Sequence, residues 1–500
     1  MTCAQWRDLV HRGGGELRSL ILSLPYSEWS SSPSLLVAVA VSYRGGQAAN
    51  PYSALSYLNA ATRILDEDEG SAELGCLALI ARSVVHRQLG RFSTAMEDVR
   101  LAIRRVERAE LDIPTRIDLY ALGLIQRGIC ELFTEDLPQA RADITHAMRL
   151  AETTMPAVER VEAFGCLTLI DVLCGGLRST ERNLNTTADA AVNAPAGLWD
   201  APATIASVLL TVGRCRFDEL GGLLDTVLVE TKGTEYEVLA LHTRVFALET
   251  LGDLEGAQDA LHDMRQVDRE WEAPNLSTRL YQADRIEVLM RFGQLAHARQ
   301  GLAEMAPDPQ HLACNNVLAA RLAMELGDFE EVVRLTADCL GFGDDHPPRT
   351  QSYAAVINAA AHSALGDLST ADASFERVLQ QARASGMRRH FTVLPPAIIT
   401  GLVERARERT ESTTRMAMLD DIAAVSSSFR GAALRLLSPR ERVVLSHVAI
   451  GENPREISAS LSVSLNTVKT QLRSVYRKLG VSTRDGAVHR ARVLGLLTAA

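Results

Sequence analysis

A phrase close to Leu-Gly-Asp-Leu-x-x-Ala recurs along most of this chain. It reads Leu89-Gly90-Arg91-Phe92 with Ala95, and Leu251-Gly252-Asp253-Leu254 with Ala257. It returns as Phe292-Gly293-Gln294-Leu295 with Ala298, Leu326-Gly327-Asp328-Phe329 with Val332, and Leu365-Gly366-Asp367-Leu368 with Ala371. Weaker copies stand at Leu137 with Ala140, Leu177 with Thr180 and Phe217 with Leu220. The anchors 92, 137, 177, 217, 254, 295, 329 and 368 are separated by 45, 40, 40, 37, 41, 34 and 39 residues. An earlier copy around Gly46 to Ala54 can open the series. A period of this size means stacked supersecondary units, each unable to bury its apolar face alone.

The unit reads as two antiparallel helices. Glycine ends the first in a left-handed turn, and Asp or Arg starts the second. Phe92, Ala95, Met96, Val99, Ala102, Ile103 and Val106 follow helical spacing and are expected to pack on Leu74, Leu77, Ala78, Ala81 and Val85. Aromatics are only 5% of the chain, and strand signals are scarce from Leu17 to Arg409. The fold class expected is all-α: a helical-repeat solenoid over residues 1–409, then a linker and a second domain. Such an array presents a concave surface suited to a peptide, a protein or a small effector. Thr410-Glu411-Ser412-Thr413-Thr414 and Ser426-Ser427-Ser428 interrupt it, so 410–433 reads as a linker with one short helix near Met416 to Val425.

Residues 434–500 are different in kind. Ser438, Pro439 and Glu441 form an N-cap, a proline in the first turn and a capping-box partner; Asn453, Pro454 and Glu456 repeat the arrangement. Ser464 caps a third helix, and Ser482 with Asp485 starts a fourth running from about Thr483 to Leu497. Only Leu461, Ser462 and Val463 separate the second helix from the third cap, the short connection of a helix-turn-helix. In the third helix Val468, Leu472, Val475 and Leu479 make one apolar stripe. Thr470, Arg473 and Arg477 fall on the other side, with Lys469 on the flank, as in a helix that enters the DNA major groove. An ordinary amphipathic helix with a solvated charged face has the same pattern; the four caps in order and the charge favour DNA.

The whole chain is acidic, at −10. From 434 onward, 11 Arg and Lys face 4 acids, a net of +7, which leaves −17 on the remainder. A basic end on an acidic body is the electrostatic footprint of a nucleic-acid module joined to something else.

Residues 437–497 resemble the helix-turn-helix domain of LuxR-type transcriptional regulators. Leu437, Ser438, Arg440, Glu441, Gly451, Glu456, Ile457, Ser464, Thr467, Val468, Lys469, Lys478, Leu479, Gly480, Val481, Arg484, Ala487 and Val488 match that pattern in order. Gln471 and Pro454 depart from it, standing where histidine and asparagine are usual. Gln471 bears on sequence preference, since it reaches a phosphate or an adenine edge; Pro454 suits a first turn. The resemblance implies base-edge contacts from Lys469, Thr470 and Arg473. It implies phosphate contacts from Asn466, Thr467, Gln471, Arg477 and Lys478. It also implies a homodimer on double-stranded DNA through the fourth helix, although Val488, Ala491 and Leu494 equally serve simple packing. The repeat array is similar to the degenerate tetratricopeptide-like repeats that precede such heads in large regulators. The segment Gly15 to Leu36, with Leu24-Pro25 and Ser32-Pro33, looks like the start of such an array.

Those large regulators often carry an ATP-binding domain. This chain contains no Gly-Lys dipeptide, so the usual phosphate-cradling loop is missing. It resembles the C-terminal part of such a regulator, either as a complete short form or as a split gene. The 8 cysteines are scattered, without a Cys-x-x-Cys and without a nearby histidine pair, and read as buried thiols of a reducing cytosol. Gly341-Phe342-Gly343-Asp344-Asp345-His346-Pro347-Pro348 sets acids beside a histidine, but reads as a loop before it reads as a metal site. Arg12-Gly13-Gly14-Gly15 has no strand before it and reads as a turn. No apolar run spans a bilayer and no export signal opens the chain, so a cytoplasmic protein is expected. The expectation is a DNA-binding regulator rather than an enzyme, with no cofactor and no metal, whose repeats sense an effector or partner. The alternative is an interaction scaffold with a weak DNA-binding head.

Overall fold

The computed structural model describes residues 15–43, 50–67, 71–191, 200–268, 271–272, 274–307, 311–341, 346–428, 437–479, 481, 483–493 and 497. The expected turn at 12–15, the start of the early repeat copy at Gly46, the loop residues 342–345, Ser482 and Leu494 lie wholly or mainly outside them. Among the described residues all regular structure is helical. None of these helices is long and apolar enough to cross a membrane.

The chain enters through α1 (Gly15–Ser23), α2 (Tyr26–Trp29), α3 (Pro33–Val41) and α4 (Pro51–Glu67). Hairpins follow: α5 (Ala72–Gln88) with α6 (Phe92–Arg108), α7 (Ile113–Phe133) with α8 (Leu137–Leu150), and α9 (Ala157–Cys174) with α10 (Leu177–Ala191). Next come α11 (Ala201–Gly213) with α12 (Leu220–Thr231), α13 (Glu237–Leu251) with α14 (Leu254–Asp268), and α15 (Leu276–Arg291) with α16 (Leu295–Glu304). The series continues with α17 (Asn315–Leu326) and α18 (Phe329–Gly341), α19 (Pro348–Ala364) and α20 (Leu368–Ser385), and α21 (Pro396–Glu408) and α22 (Thr413–Ser428).

Each of the eight sequence anchors is the first residue of a helix; Phe217 opens a short 3-10 turn that leads into α12. The cause is local. The residue two before each anchor is left-handed, with φ between 59° and 91°. The amide that follows donates to the carbonyl five residues back, at 2.8–3.0 Å in all eight units, which closes the helix end and reverses the chain. Six of the left-handed residues are glycine, the residue without a Cβ penalty there. The other two are Glu135 and Cys215, in two of the weaker copies. At these the turn survives against a penalty of roughly 1–2 kcal/mol. For Glu135 the compensation is visible, since its carboxylate pairs with buried Arg279. The aspartates at the next position, Asp136, Asp253, Asp328 and Asp367, each accept a backbone amide of the new helix at 3.0–3.3 Å.

Within the first anchored hairpin all the predicted contact residues of α5 and α6 are buried. Helix α22 is longer than the helix expected there, and Leu419 and Ile422 are fully buried in the apolar core it shares with α21. Ion pairs Arg388–Asp421 and Arg407–Asp420 hold it at 2.6 and 2.5 Å. Thr413 to Ser428 therefore packs on the array, where the composition suggests a linker. The serines misled because Ser426 is itself buried.

The concave surface expected of a solenoid is partly packed against itself. Arg87 reaches Glu235, Arg279 reaches Glu135 and Arg389 reaches Glu249, pairs separated by 148, 144 and 140 residues. All six side chains are buried. The coil of hairpins brings units three to four repeats apart into contact, and charged residues fill the space between them. Glu272 N–H donates to Gly90 O at 2.9 Å, and Trp271 lies so close to Gly90 that an added Cβ would fall 2.1 Å from its ring.

His390 carries a pH consequence. It is fully buried on the Phe391 ring, neither ring nitrogen has a hydrogen-bond partner, and burial beside Arg388 holds its pKa down at about 3. The unfolded chain takes up that proton near pH 6.5, so it binds more protons than the native state between about 6.5 and 3. Stability from this group is complete above about 6.5 and falls by roughly 1.4 kcal/mol per pH unit below it. His390→Leu should therefore lose roughly 2 kcal/mol less than the wild type between pH 6.5 and 5. Urea midpoints at the two pH values measure this; equal losses would show that His390 ionises freely in the folded chain.

Candidate nucleic-acid interface

The basic end forms four helices, α23 (Pro439–Ala449), α24 (Pro454–Ser460), α25 (Leu465–Leu479) and α26 (Arg484–Val493). Both predicted capping boxes are formed. Ser438 N–H donates to Glu441 Oε2 at 2.7 Å and Glu441 N–H to Ser438 Oγ at 3.3 Å. Asn453 N–H donates to Glu456 Oε2 at 2.7 Å, and Asn453 Oδ1 accepts from the amides of Arg455 and Glu456. The fourth helix starts one residue later than the sequence suggests. Thr483 is the cap: its Oγ1 accepts from Gly486 N–H at 3.1 Å, and its carbonyl from Ala487 N–H.

The turn from α24 into α25 is short because Ser462 is left-handed, with φ 51°, and Val463 N–H returns to Ser458 O at 3.2 Å. Ser458 Oγ donates to Val463 O at 2.6 Å and pins the turn from the other side. Ser464 Oγ then accepts from Thr467 N–H at 3.1 Å and starts α25. One side of α25 is locked between two apolar clusters. Val468 and Leu472 pack with Val444, Val448 and Ile457; Val475 and Leu479 pack with Leu437, Leu445, Ala487 and Ala491. Arg484 Nη2 donates to Val448 O at 2.9 Å, tying α26 to the end of α23.

The other side of α25 is polar. Asn466, Thr467, Lys469, Thr470 and Arg473 are exposed, and Gln471 is half-buried. Asn466, Lys469, Thr470 and Arg473 stand at successive helical neighbour positions and share a face. Thr470 Oγ1 donates to Asn466 O at 2.9 Å, so its proton is engaged and its lone pairs and methyl remain for a partner. Thr467 is held by Ser464 through both its amide and its hydroxyl. Arg477 and Lys478 lie on α25, but their side chains fall outside the described residues. On α26, Ala487 and Ala491 are consumed by the core of the head and Val488 is half-buried.

A second polar site lies in the repeats. A cavity of about 70 Å³ is lined by His242, Phe246, Glu249, Asp284, Glu287, Arg321, Arg349, Tyr353 and Arg389, among others. His242 Nδ1 bonds Asp284 at 2.7 Å, while its buried Nε2 has no hydrogen-bond partner. Burial raises the Asp284 pKa even though His242 pulls it down. The guanidinium of Arg349 lies 4.8 Å from the centre of the Phe246 ring, and burial lowers its pKa. Sequence reasoning missed this site because its residues come from different repeats and share no motif. It also missed that Cys314 stands beside histidines: its Sγ is 3.9 Å from His346 Nε2, and His311 stacks on His346. The spacing His311-x-x-Cys314 was the available signal.

Residues 435–491 match the family model described as bacterial regulatory proteins, luxR family. A probable transcriptional regulatory protein NarL of Mycobacterium tuberculosis is 48% identical over 56 residues, which is 11% of this chain and 26% of that protein. The HTH-type transcriptional activator RamA of Corynebacterium glutamicum is 48% identical over 61 residues, 12% of this chain and 22% of that protein. The chain thus spans about a quarter of the length of these curated relatives. The crystal structure of an APC/C hetero-tetramer, Cut9–Hcn1, aligns over 80% of this chain and 85% of that one, with 11% identity and a TM-score of 0.40. The four capped helices, the left-handed turn at Ser462 and the matched residues together make the C-terminal segment 435–491 a helix-turn-helix domain of the luxR family.

Proposed function

We propose that the chain is a transcriptional regulator that binds double-stranded DNA sequence-specifically through α25, and that its repeats control this binding in response to an effector. The carrying observation is the asymmetry of α25: one face sealed in two apolar clusters, the other presenting Asn466, Lys469, Thr470 and Arg473 together. A helix anchored in this way offers a rigid row of polar groups, with Lys469 and Arg473 as donors, to base edges and phosphates. In this reading Lys469, Thr470 and Arg473 meet bases, while Asn466, Thr467, Gln471, Arg477 and Lys478 meet phosphates. Two copies pair on DNA, with α26 at their interface. The buried cavity beside Arg349 and His242 supports the sensing half. It joins an imidazole nitrogen without a hydrogen-bond partner to three guanidinium groups and three carboxylates, which suits a small polar effector.

The test is binding of the full chain to a pool of genomic fragments at two salt concentrations, repeated with Lys469→Ala and Arg473→Ala. Both side chains are exposed, so neither change should unfold the head. Each should cost roughly 1–3 kcal/mol of specific binding if it reads a base. A loss that is uniform over all fragments would reassign the residue to phosphate. No loss in either variant would remove α25 as the recognition helix and favour the scaffold reading.

A further inference from the structure

Four side chains with metal-ligand chemistry converge at the junction of α17, α18 and α19. His311 and Cys314 precede α17, Cys339 is in the last turn of α18, and His346 precedes α19. Cys314 Sγ lies 3.6 Å from Cys339 Sγ and 3.9 Å from His346 Nε2. One ligand atom each from His311, Cys314 and His346 falls within a mutual 4.8 Å, and the two imidazoles stack with centroids 4.0 Å apart. A tetrahedral ion with Zn–S of ~2.3 Å and Zn–N of ~2.0–2.1 Å places its ligand atoms about 3.3–3.8 Å from one another. The sulfur–sulfur separation already has that value, and the sulfur–nitrogen separation is slightly larger. We propose that His311, Cys314, Cys339 and His346 bind one zinc ion in a closed Cys2His2 site.

The surroundings are built for it. Cys314, Cys339 and His346 are buried and His311 is half-buried, which leaves one side for metal entry. His311 is held at φ 52°, a conformation costly for a side-chain-bearing residue and one that clusters at ligand clamps. Its carbonyl accepts from Thr350 Oγ1, and the His346 carbonyl accepts from Gln351 Nε2 at 2.9 Å, so both ligand backbones are fixed by α19. Cys314 is the N-cap of α17, where the helix end favours a thiolate. Two thiolates and two neutral imidazoles leave a site of charge −2, which a soft-tolerant divalent ion neutralises. Four protein ligands leave no open position, so the role is structural. The ion would tie the ends of three helices together and fix Cys314, which also lines the Arg349 cavity. Among the described residues His311, Cys314 and His346 form the one such cluster of histidine, cysteine and acidic ligands, and Cys339 joins it through the 3.6 Å approach of its sulfur to that of Cys314.

The test uses the full chain, purified under reducing conditions without chelator, with metal measured by plasma mass spectrometry. One zinc per chain is expected, with loss of that zinc in Cys314→Ser and in Cys339→Ser, and retention in Cys174→Ser. Cobalt added to the metal-free chain should give the intense visible bands and the thiolate charge-transfer absorption of a tetrahedral site. Chelation should lower the melting temperature, and zinc should restore it. The wild-type stoichiometry and the cobalt spectrum decide the matter even if a cysteine variant fails to fold. A reduced wild-type chain that takes up no stoichiometric zinc or tetrahedral cobalt overturns the proposal. So does peptide mapping that finds Cys314 and Cys339 joined as a disulfide in freshly prepared protein.

Discussion

Replacing Glu249 by alanine should destabilise the repeat array by roughly 3–5 kcal/mol, the cost of breaking a buried ion pair from one side. The Glu249 carboxylate is fully enclosed and accepts from Arg389 Nη2 at 2.9 Å and from Arg291 Nε at 3.3 Å. Burial pushes its pKa up, but the guanidiniums of Arg389, Arg291 and Arg321 more than offset this and hold it below the usual carboxylate range. Arg389 is shared further, donating to Thr250 Oγ1 at 2.8 Å and Tyr353 OH at 2.6 Å, with its guanidinium 3.5 Å from the Phe246 ring centre. Losing the carboxylate leaves the buried Arg389 guanidinium without its charge partner, so the loss exceeds the value of the pair itself. Urea unfolding of Glu249→Ala measures it, with Glu331→Ala as the control, because the Glu331–Arg334 pair is exposed and should leave the midpoint unchanged. Double replacement of Glu249 and Arg389 by methionine should recover part of the loss. A Glu249→Ala midpoint like that of the control would mean the repeats do not close on one another at this point.

Replacing Leu445 by alanine should unfold most of the head and abolish binding to every DNA sequence. Leu445 is fully buried between α23, α25 and α26. Truncating a buried leucine costs roughly 2–5 kcal/mol. A domain of this size has only roughly 3–9 kcal/mol in total. The repeats should keep their own transition, so a thermal scan should lose the head's contribution and retain the array's. This contrasts with Lys469→Ala, where the head stays folded and only selected sequences are lost. If Leu445→Ala bound DNA with wild-type affinity, the packing around α25 would not be what presents its polar face.

Much of the local architecture was legible in the residues. Ser438 with Glu441, and Asn453 with Glu456, announce two helix starts because the bonds that make them lie within four residues. The eight repeat anchors announce eight helix starts for the same reason, since a left-handed residue and its closing hydrogen bond are local events. The polar face of α25 was legible because helical period alone separates Lys469 and Arg473 from Val468 and Leu472. Where the local signal was diluted, the reading weakened. Glu135 and Cys215 occupy glycine positions, and the serines before α23 suggested a linker where α22 packs with Leu419 and Ile422 buried.

The residues by themselves determined an all-helical chain of repeated hairpins ending in a basic helix-turn-helix, because caps, turns and apolar period act over a few positions. Only the tertiary structure decided how those hairpins close on one another. Arg87 with Glu235, Glu135 with Arg279 and Glu249 with Arg389 are each separated by 140 residues or more. So too the meeting of His311 and Cys314 with Cys339 and His346, and the cavity beside Arg349, depend on how each hairpin rotates against the next. That rotation is set by the packing of many side chains at once, and no short stretch of sequence encodes it.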